Sequence, residues 1–221
     1  MKKCLVVLSV FYSIVIHSQR MTVGLSYEYF YSGALDKIIQ TYNFDRPFLQ
    51  NKQPLFSNGL NASFSIFKKK EQKWTHGFYS SYSYLQSYAE NENFTNRFLF
   101  HLIDLGYSTK YQDTSKIGGF YSEFQISSKW SGLFRRTNGE PFISDSTRSN
   151  SLGVGGSLSW LIGYSFRMKN NSSISPTVQL SYTPYIYAPN NESVINSTKG
   201  LISESWQTFF SARIGLAYHF K

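Results

Sequence analysis

The sequence predicts an all-β chain, an eight-stranded antiparallel up-and-down transmembrane β-barrel with short periplasmic turns and four long extracellular loops. Three observations carry this. Large apolar and small polar residues alternate with period two in a series of segments. Long and short connectors alternate between those segments. An export signal precedes them.

The export signal comes first. Lys2 and Lys3 form a short basic region, and residues 4–16 (CLVVLSVFYSIVI) form an apolar run of 13 residues broken by His17, Ser18 and Gln19. A spanning helix needs about 20 apolar residues, so this run reads as a secretory signal cleaved after Ser18. An uncleaved anchor is the alternative. The expected division is a signal peptide over 1–18 and a barrel domain over 19–221. Cys4 is the single cysteine of the chain, so the mature protein has no disulfide framework and no thiol chemistry. No later segment is apolar enough for a spanning helix. Aromatic residues nevertheless make up 18% of a chain whose mean hydropathy is −0.31. A transmembrane barrel reconciles the two, because only alternate residues meet lipid and Tyr and Trp crowd the interfaces.

The clearest alternation runs from Leu152 to Met168. Leu158, Trp160 and Ile162 lie on one face, and Ser157, Ser159 and Gly163 on the other. The last segment repeats it, with Phe210, Ile214, Leu216, Tyr218 and Phe220 opposed to Ser211, Arg213, Gly215 and His219. A helix, with its period of 3.6, would mix these sets. Weaker versions cover Val23–Tyr31, Leu60–Ile66, Trp74–Leu85, Phe120–Trp130 and Val178–Thr183. Arg97 to Tyr111 fits worst, since no register keeps both His101 and Asp104 off the apolar face, and a β-bulge near Ile103 would repair it.

The connectors 68–73, 112–116 and 169–173 are short and polar, whereas 32–57, 86–96, 131–150 and 188–203 are long. This strict alternation fits an up-and-down barrel with both termini in the periplasm. A hairpin inside the first long loop would raise the count to ten strands. The bulky face is too large for the inside of an eight-stranded barrel, so Leu158, Trp160, Ile162, Phe210, Ile214 and Leu216 are assigned to lipid, and the Gly, Ser, Thr and Gln face to the lumen. A soluble barrel of lipocalin type would reverse the two faces.

The signal, the loop pattern and the final segment SARIGLAYHFK resemble small outer-membrane barrels of Gram-negative bacteria, similar to the OmpA/OmpX-type membrane domain. The resemblance implies that Tyr218 and Phe220 belong to a C-terminal signal read by the barrel-insertion machinery after delivery by periplasmic chaperones; Lys221 after Phe220 departs from the pattern. A signal ending Ser18-Gln19 resembles those of Bacteroidetes proteins, and Asp145-Ser146-Thr147 resembles one of their O-glycosylation sites.

The chain carries a formal charge of +9. The short-turn rim holds nine basic residues, among them Lys68, Lys69, Lys70, Lys73, Lys110 and Lys169, against Glu71 and Asp113. The long-loop side, which includes Lys129, is nearly balanced. The basic rim fits anionic phospholipid headgroups, with solubilisation of the turns as the plainer reading. Nucleic acid is not an expected partner. Arg135, Arg136 and Arg148, in the third long loop, are candidates for lipopolysaccharide phosphates, or ordinary loop charges.

On the lumen face, Glu28, Asp104, Glu123 and Arg213 form a candidate interior ionic network. If Thr22 lies opposite His219, Glu28 falls opposite Arg213. If Lys110 lies opposite Ile117, Asp104 falls opposite Glu123. Such a network would plug the barrel, because unpaired buried charge is expensive. His76, His101 and His219 are scattered, with His219 expected at the rim, and form no catalytic constellation. No metal or cofactor motif is present. The expected role is therefore envelope structure or surface interaction through the long loops, with a small channel for apolar solutes or a lipid-modifying enzyme as alternatives.

Overall fold

The computed structural model describes residues 18–44, 46–47, 49–68, 73–91, 94–112, 119–138, 149–169, 172–187 and 206–220. Eight strands follow one another: β1 (Ser18–Tyr31), β2 (Asn58–Lys68), β3 (Trp74–Asn91), β4 (Phe94–Gln112), β5 (Gly119–Asn138), β6 (Ser149–Arg167), β7 (Ser173–Tyr187) and β8 (Trp206–Phe220). Each pairs antiparallel with the next, and β1 pairs with β8 to close the barrel. The expected signal peptide lies outside the described residues, apart from Ser18, which opens β1.

The two faces of the wall sort as the alternation predicts. Trp160 and Leu216 are 44% and 55% exposed on the outer wall, whereas Ser157 is 3% exposed inside. Ile162, Leu158, Phe210 and Ile214 are likewise exposed. This inversion of the usual core suits only an apolar surrounding, since a soluble barrel would bury those side chains. Among the described residues no helix is long and apolar enough to cross a membrane.

Three details differ from the sequence reading. The first long loop holds a helix, α1 (Gly33–Phe44), and no extra hairpin among its described residues. The second, expected over 86–96, is mostly strand, because β3 runs to Asn91 and β4 resumes at Phe94. β4 has no bulge near Ile103, and its register with β3 and β5 is unbroken. Phe98, Phe100 and Leu102 point inward and are buried, while His101 stays on the outer wall, bonded to the Tyr82 hydroxyl at 2.6 Å. The lumen face is therefore apolar in its loop-side half.

That apolar half explains α1. Leu35, Ile39 and Tyr42, spaced to share one helix face, are buried together with Phe30, Phe98, Phe100, Leu133 and Phe209. Phe100 and Phe209 meet edge-on at 5.7 Å, and Tyr42 meets Phe98 at 5.3 Å. Ser32 caps the helix, its Oγ accepting from the Leu35 amide at 3.4 Å. The chain returning from α1 is pinned by Gln53, whose side chain donates to Ser87 at 2.7 Å and accepts from Asn96 at 2.9 Å. Asn43 joins the same knot through both backbone groups of Gln53, at 2.9 and 2.7 Å.

One seam of the wall is uneven. Between β6 and β7 the rungs at 156–157 and 164–165 are missing, opposite Pro184 and Pro176, which have no N–H to give. Beside each gap an inward hydroxyl pair crosses the seam: Thr183 to Ser157 at 3.1 Å, and Ser165 with Ser175 at 2.9 Å.

If α1 is held by its apolar face, Ile39→Ala leaves a cavity worth about 2–5 kcal/mol at that contact. Limited proteolysis of the folded barrel should then cut within 33–57 faster than in the parent, with circular dichroism of the strands unchanged.

Candidate functional site

The lumen is crossed by side chains at mid-height. Arg213 on β8 and Glu28 on β1 lie directly opposite in the register, and Arg213 Nε sits 3.0 Å from Glu28 Oε1. The same guanidinium reaches across the barrel, placing Nη2 3.5 Å from Asp104 Oδ2 on β4. It also donates to the Tyr79 hydroxyl at 3.1 Å and to Ser83 Oγ at 3.3 Å. Strands β8 and β4 are four apart in an eight-strand ring, so this one side chain spans the diameter.

Asp104 is not opposite Glu123, as one register had placed it. The β4–β5 pairing is displaced, and Asp104 faces Lys129 while Glu123 faces Lys110. The physical reason is charge. The expected register sets two carboxylates side by side, which is destabilising, whereas the observed one sets each carboxylate against an ammonium. Lys129 Nζ lies 3.5 Å from Asp104 Oδ1, and Ser81 Oγ donates to Asp104 Oδ2 at 2.9 Å. Lys110 and Lys129, read from sequence as turn-rim and loop-side charges, are both buried in the lumen. The buried charges of the described lumen are thus three carboxylates (Glu28, Asp104, Glu123) and three cations (Lys110, Lys129, Arg213), with Arg20 half-buried on the same face of β1.

A second layer lies nearer the turn end. Glu123 Oε1 accepts from Ser108 at 2.6 Å and from Gln125 at 2.8 Å, and Gln125 accepts from Gln179 at 2.9 Å. Lys110 Nζ stands over the Tyr121 ring at 3.8 Å. His219, expected at the rim, lines the lumen instead. Its Nδ1 bonds Thr22 at 2.8 Å and its Nε2 bonds Ser175 at 2.8 Å. Ser175 is wholly buried and His219 half-buried. Among the described residues no group of three His, Cys, Asp or Glu could hold a metal ion.

The remaining predicted residues fall at the ends. Lys68, Lys73 and Lys169 are exposed at the turn end, and Lys69 and Lys70 lie outside the described residues. Arg135 and Arg136 belong to β5 and not to a loop, on opposite parities: Arg135 is in register with Phe98 and Arg136 with Arg97. Arg148 lies outside the described residues. Tyr218 and Phe220 close β8, their rings 4.7 Å apart on the outer wall. Sequence reasoning missed Lys129 and Lys110, although both share the parity of their acidic partners along the strands.

A closed, eight-stranded, all-antiparallel up-and-down barrel with an exposed apolar wall has the fold of the small outer-membrane barrels. The crystal structure of Neisserial surface protein A superposes with a TM-score of 0.54 at 13% identity, covering 91% of this chain and 96% of that one. Ail, the attachment invasion locus protein of Yersinia pestis, crystallised with the heparin analogue sucrose octasulfate, aligns with a TM-score of 0.45 at 9% identity over 92% of this chain and 99% of that one. No protein-family model matches the chain, and no curated protein matches it in sequence.

Removing one partner from the mid-lumen network strands a buried charge. Arg213→Ala should therefore lower the stability of the refolded barrel by about 3–5 kcal/mol. The Glu28→Gln/Arg213→Met pair should lose less than the two single changes added together, by about 1–3 kcal/mol, measured from urea-unfolding midpoints.

Proposed function

We propose that the chain is an integral outer-membrane barrel with a closed lumen, acting in envelope structure or surface interaction through its loop end. The single observation that carries this reading is the pairing of an exposed apolar wall with a lumen crossed by Arg213 and capped by α1. A wall of that kind is stable in hydrocarbon, where a closed ladder satisfies the backbone. A lumen crossed at mid-height by Arg213 and packed with buried side chains favours work at the surface over passage through the wall.

The remaining assignments follow from this placement. The N-terminal 18 residues act as the cleaved export signal. Tyr218 and Phe220 are the side chains offered to the insertion machinery. Lys68, Lys73 and Lys169, with Lys69 and Lys70, meet the anionic headgroups of the inner leaflet at the turn end. The loop end meets lipopolysaccharide and a surface partner. The reading assigns no catalytic residue.

Two measurements test it. The full chain, expressed in a Gram-negative host, should fractionate with the outer membrane and lose its first 18 residues. Reconstituted in planar bilayers, it should give no resolved conductance steps. Steps of uniform size would establish an open channel and overturn the closed-lumen reading.

A further inference from the structure

The lumen carries a cation at its turn end that the ionic network does not neutralise. Lys110 on β4 is in register with Glu123 on β5, yet no ion pair joins them. Glu123 Oε1 is taken by Ser108 and Gln125. The lysine leans the other way, toward the turns. Its Nζ stands 3.8 Å from the centre of the Tyr121 ring and 5.7 Å from that of Phe67. Tyr121 is in register with Gln112, nearer the turn than Lys110, and Phe67 is the last residue but one of β2. Lys110 is only 6% exposed. Among the described residues no carboxylate is in ion-pair contact with its ammonium and no acceptor bonds it. The ammonium is nonetheless not fully enclosed and keeps some accessible surface.

A second cation shares this mouth. Arg20, near the start of β1, lies on the lumen face in register with Phe67 and is half-buried. Among the described residues no carboxylate pairs with it. Lys110 and Arg20 lie within electrostatic reach of each other, and both within reach of His219. His219 is fixed by Thr22 and Ser175 and meets the Tyr121 ring edge-on at 5.5 Å, which completes the wall. Two like charges in one narrow mouth repel, and a buried ammonium without a partner is costly. An anion between them relieves both. The exposed Lys73 and Lys169 at the same end add a field that draws anions in.

We propose that Lys110 and Arg20 form an anion site in the turn-end mouth of the lumen, which takes a phosphate group. A guanidinium fork from β1 and an ammonium from β4, three strands apart in the ring, suit the several oxygens of that group. Free orthophosphate and the headgroup of a phospholipid at the rim share this chemistry. The site goes beyond the surface role proposed above, because it faces the opposite end of the barrel.

The test uses the full chain refolded in octyl glucoside micelles, which carry no phosphate, at physiological ionic strength, where the exposed lysines are screened. Orthophosphate should give a saturable, single-site heat by calorimetry and shift the His219 ring protons in the NMR spectrum. Phosphatidylglycerol added to the micelles in place of orthophosphate tests the headgroup as the source. A response to phosphatidylglycerol alone assigns the phosphate to a lipid, and a response to orthophosphate assigns it to a free anion. Lys110→Met and Arg20→Gln should each weaken the binding about tenfold or more, as loss of a charge-assisted contact implies. Lys169→Gln, at the rim, should bind as the parent does. If Lys110→Met does not refold, Arg20→Gln, at the half-buried end of its strand, carries the comparison. No saturable response to either probe, or an equal loss in Lys169→Gln, would overturn the site.

Discussion

Closure of eight strands into one ring leaves a lumen only a few side chains wide, and the rest of the structure answers to that width. At mid-height a single arginine is long enough to cross it. Arg213 takes Glu28 from the neighbouring strand and Asp104 from the opposite one, and small residues fill the space around it, with Ser81, Ser83, Ser127 and Ser211 all buried. Tyr79 and Lys129 are the other long side chains admitted at that level, each bonded to the network, and the bulky face of β6 and β8 lines the outer wall.

The same width accounts for the change of lumen chemistry along the barrel axis. Above Asp104 the inward residues of β4 are Leu102, Phe100 and Phe98, which meet Phe30 and Phe209 from β1 and β8. Rings of this size close much of the mouth, and Leu35, Ile39 and Tyr42 of α1 complete it. The helix is thus the continuation of the lumen's packing by residues that leave the sheet. On the β6–β7 side the wall is weaker, since two prolines withhold rungs from the ladder. Inward Ser, Thr and Ser–Ser pairs cross those gaps, so the small polar residues that fit the narrow lumen also hold the seam.

These two features mark where sequence reading worked and where it stopped. In β6 and β8 the alternation is continuous, and Trp160, Ile162 and Leu216 could be placed outside without coordinates. The Glu28–Arg213 opposition was likewise legible, because closing β1 on β8 ties it to Thr22 and His219. β4 resisted because it obeys two rules in succession, polar inside near Asp104 and apolar inside near Phe98, so a single pattern made His101 look misplaced. The helix had its own signals, the Ser32 cap and the spacing of Leu35, Ile39 and Tyr42, but they are visible only if an apolar mouth is expected beneath them. The pairing of Asp104 with Lys129 depends on the β4–β5 register, which connector length alone could not set and charge complementarity could.

The buried ions then have a role that stability alone does not explain. They lie between two aromatic layers, with Phe100 and Phe209 above and Tyr121 and Phe67 below, where Lys110 stands against both rings. Buried in this way, ion pairs gain little over apolar residues of equal volume. What they supply is discrimination between registers. A slip of one residue in β1 or β8 would turn the whole apolar face of that strand inward, and the alternating wall alone excludes it. A slip of two residues keeps every side chain on its own face, so the ladder and the wall would tolerate it; the ionic layer would not, because Glu28 and Arg213 would no longer lie opposite. Among the closures that present every apolar side outward, the charges of the lumen therefore select one register.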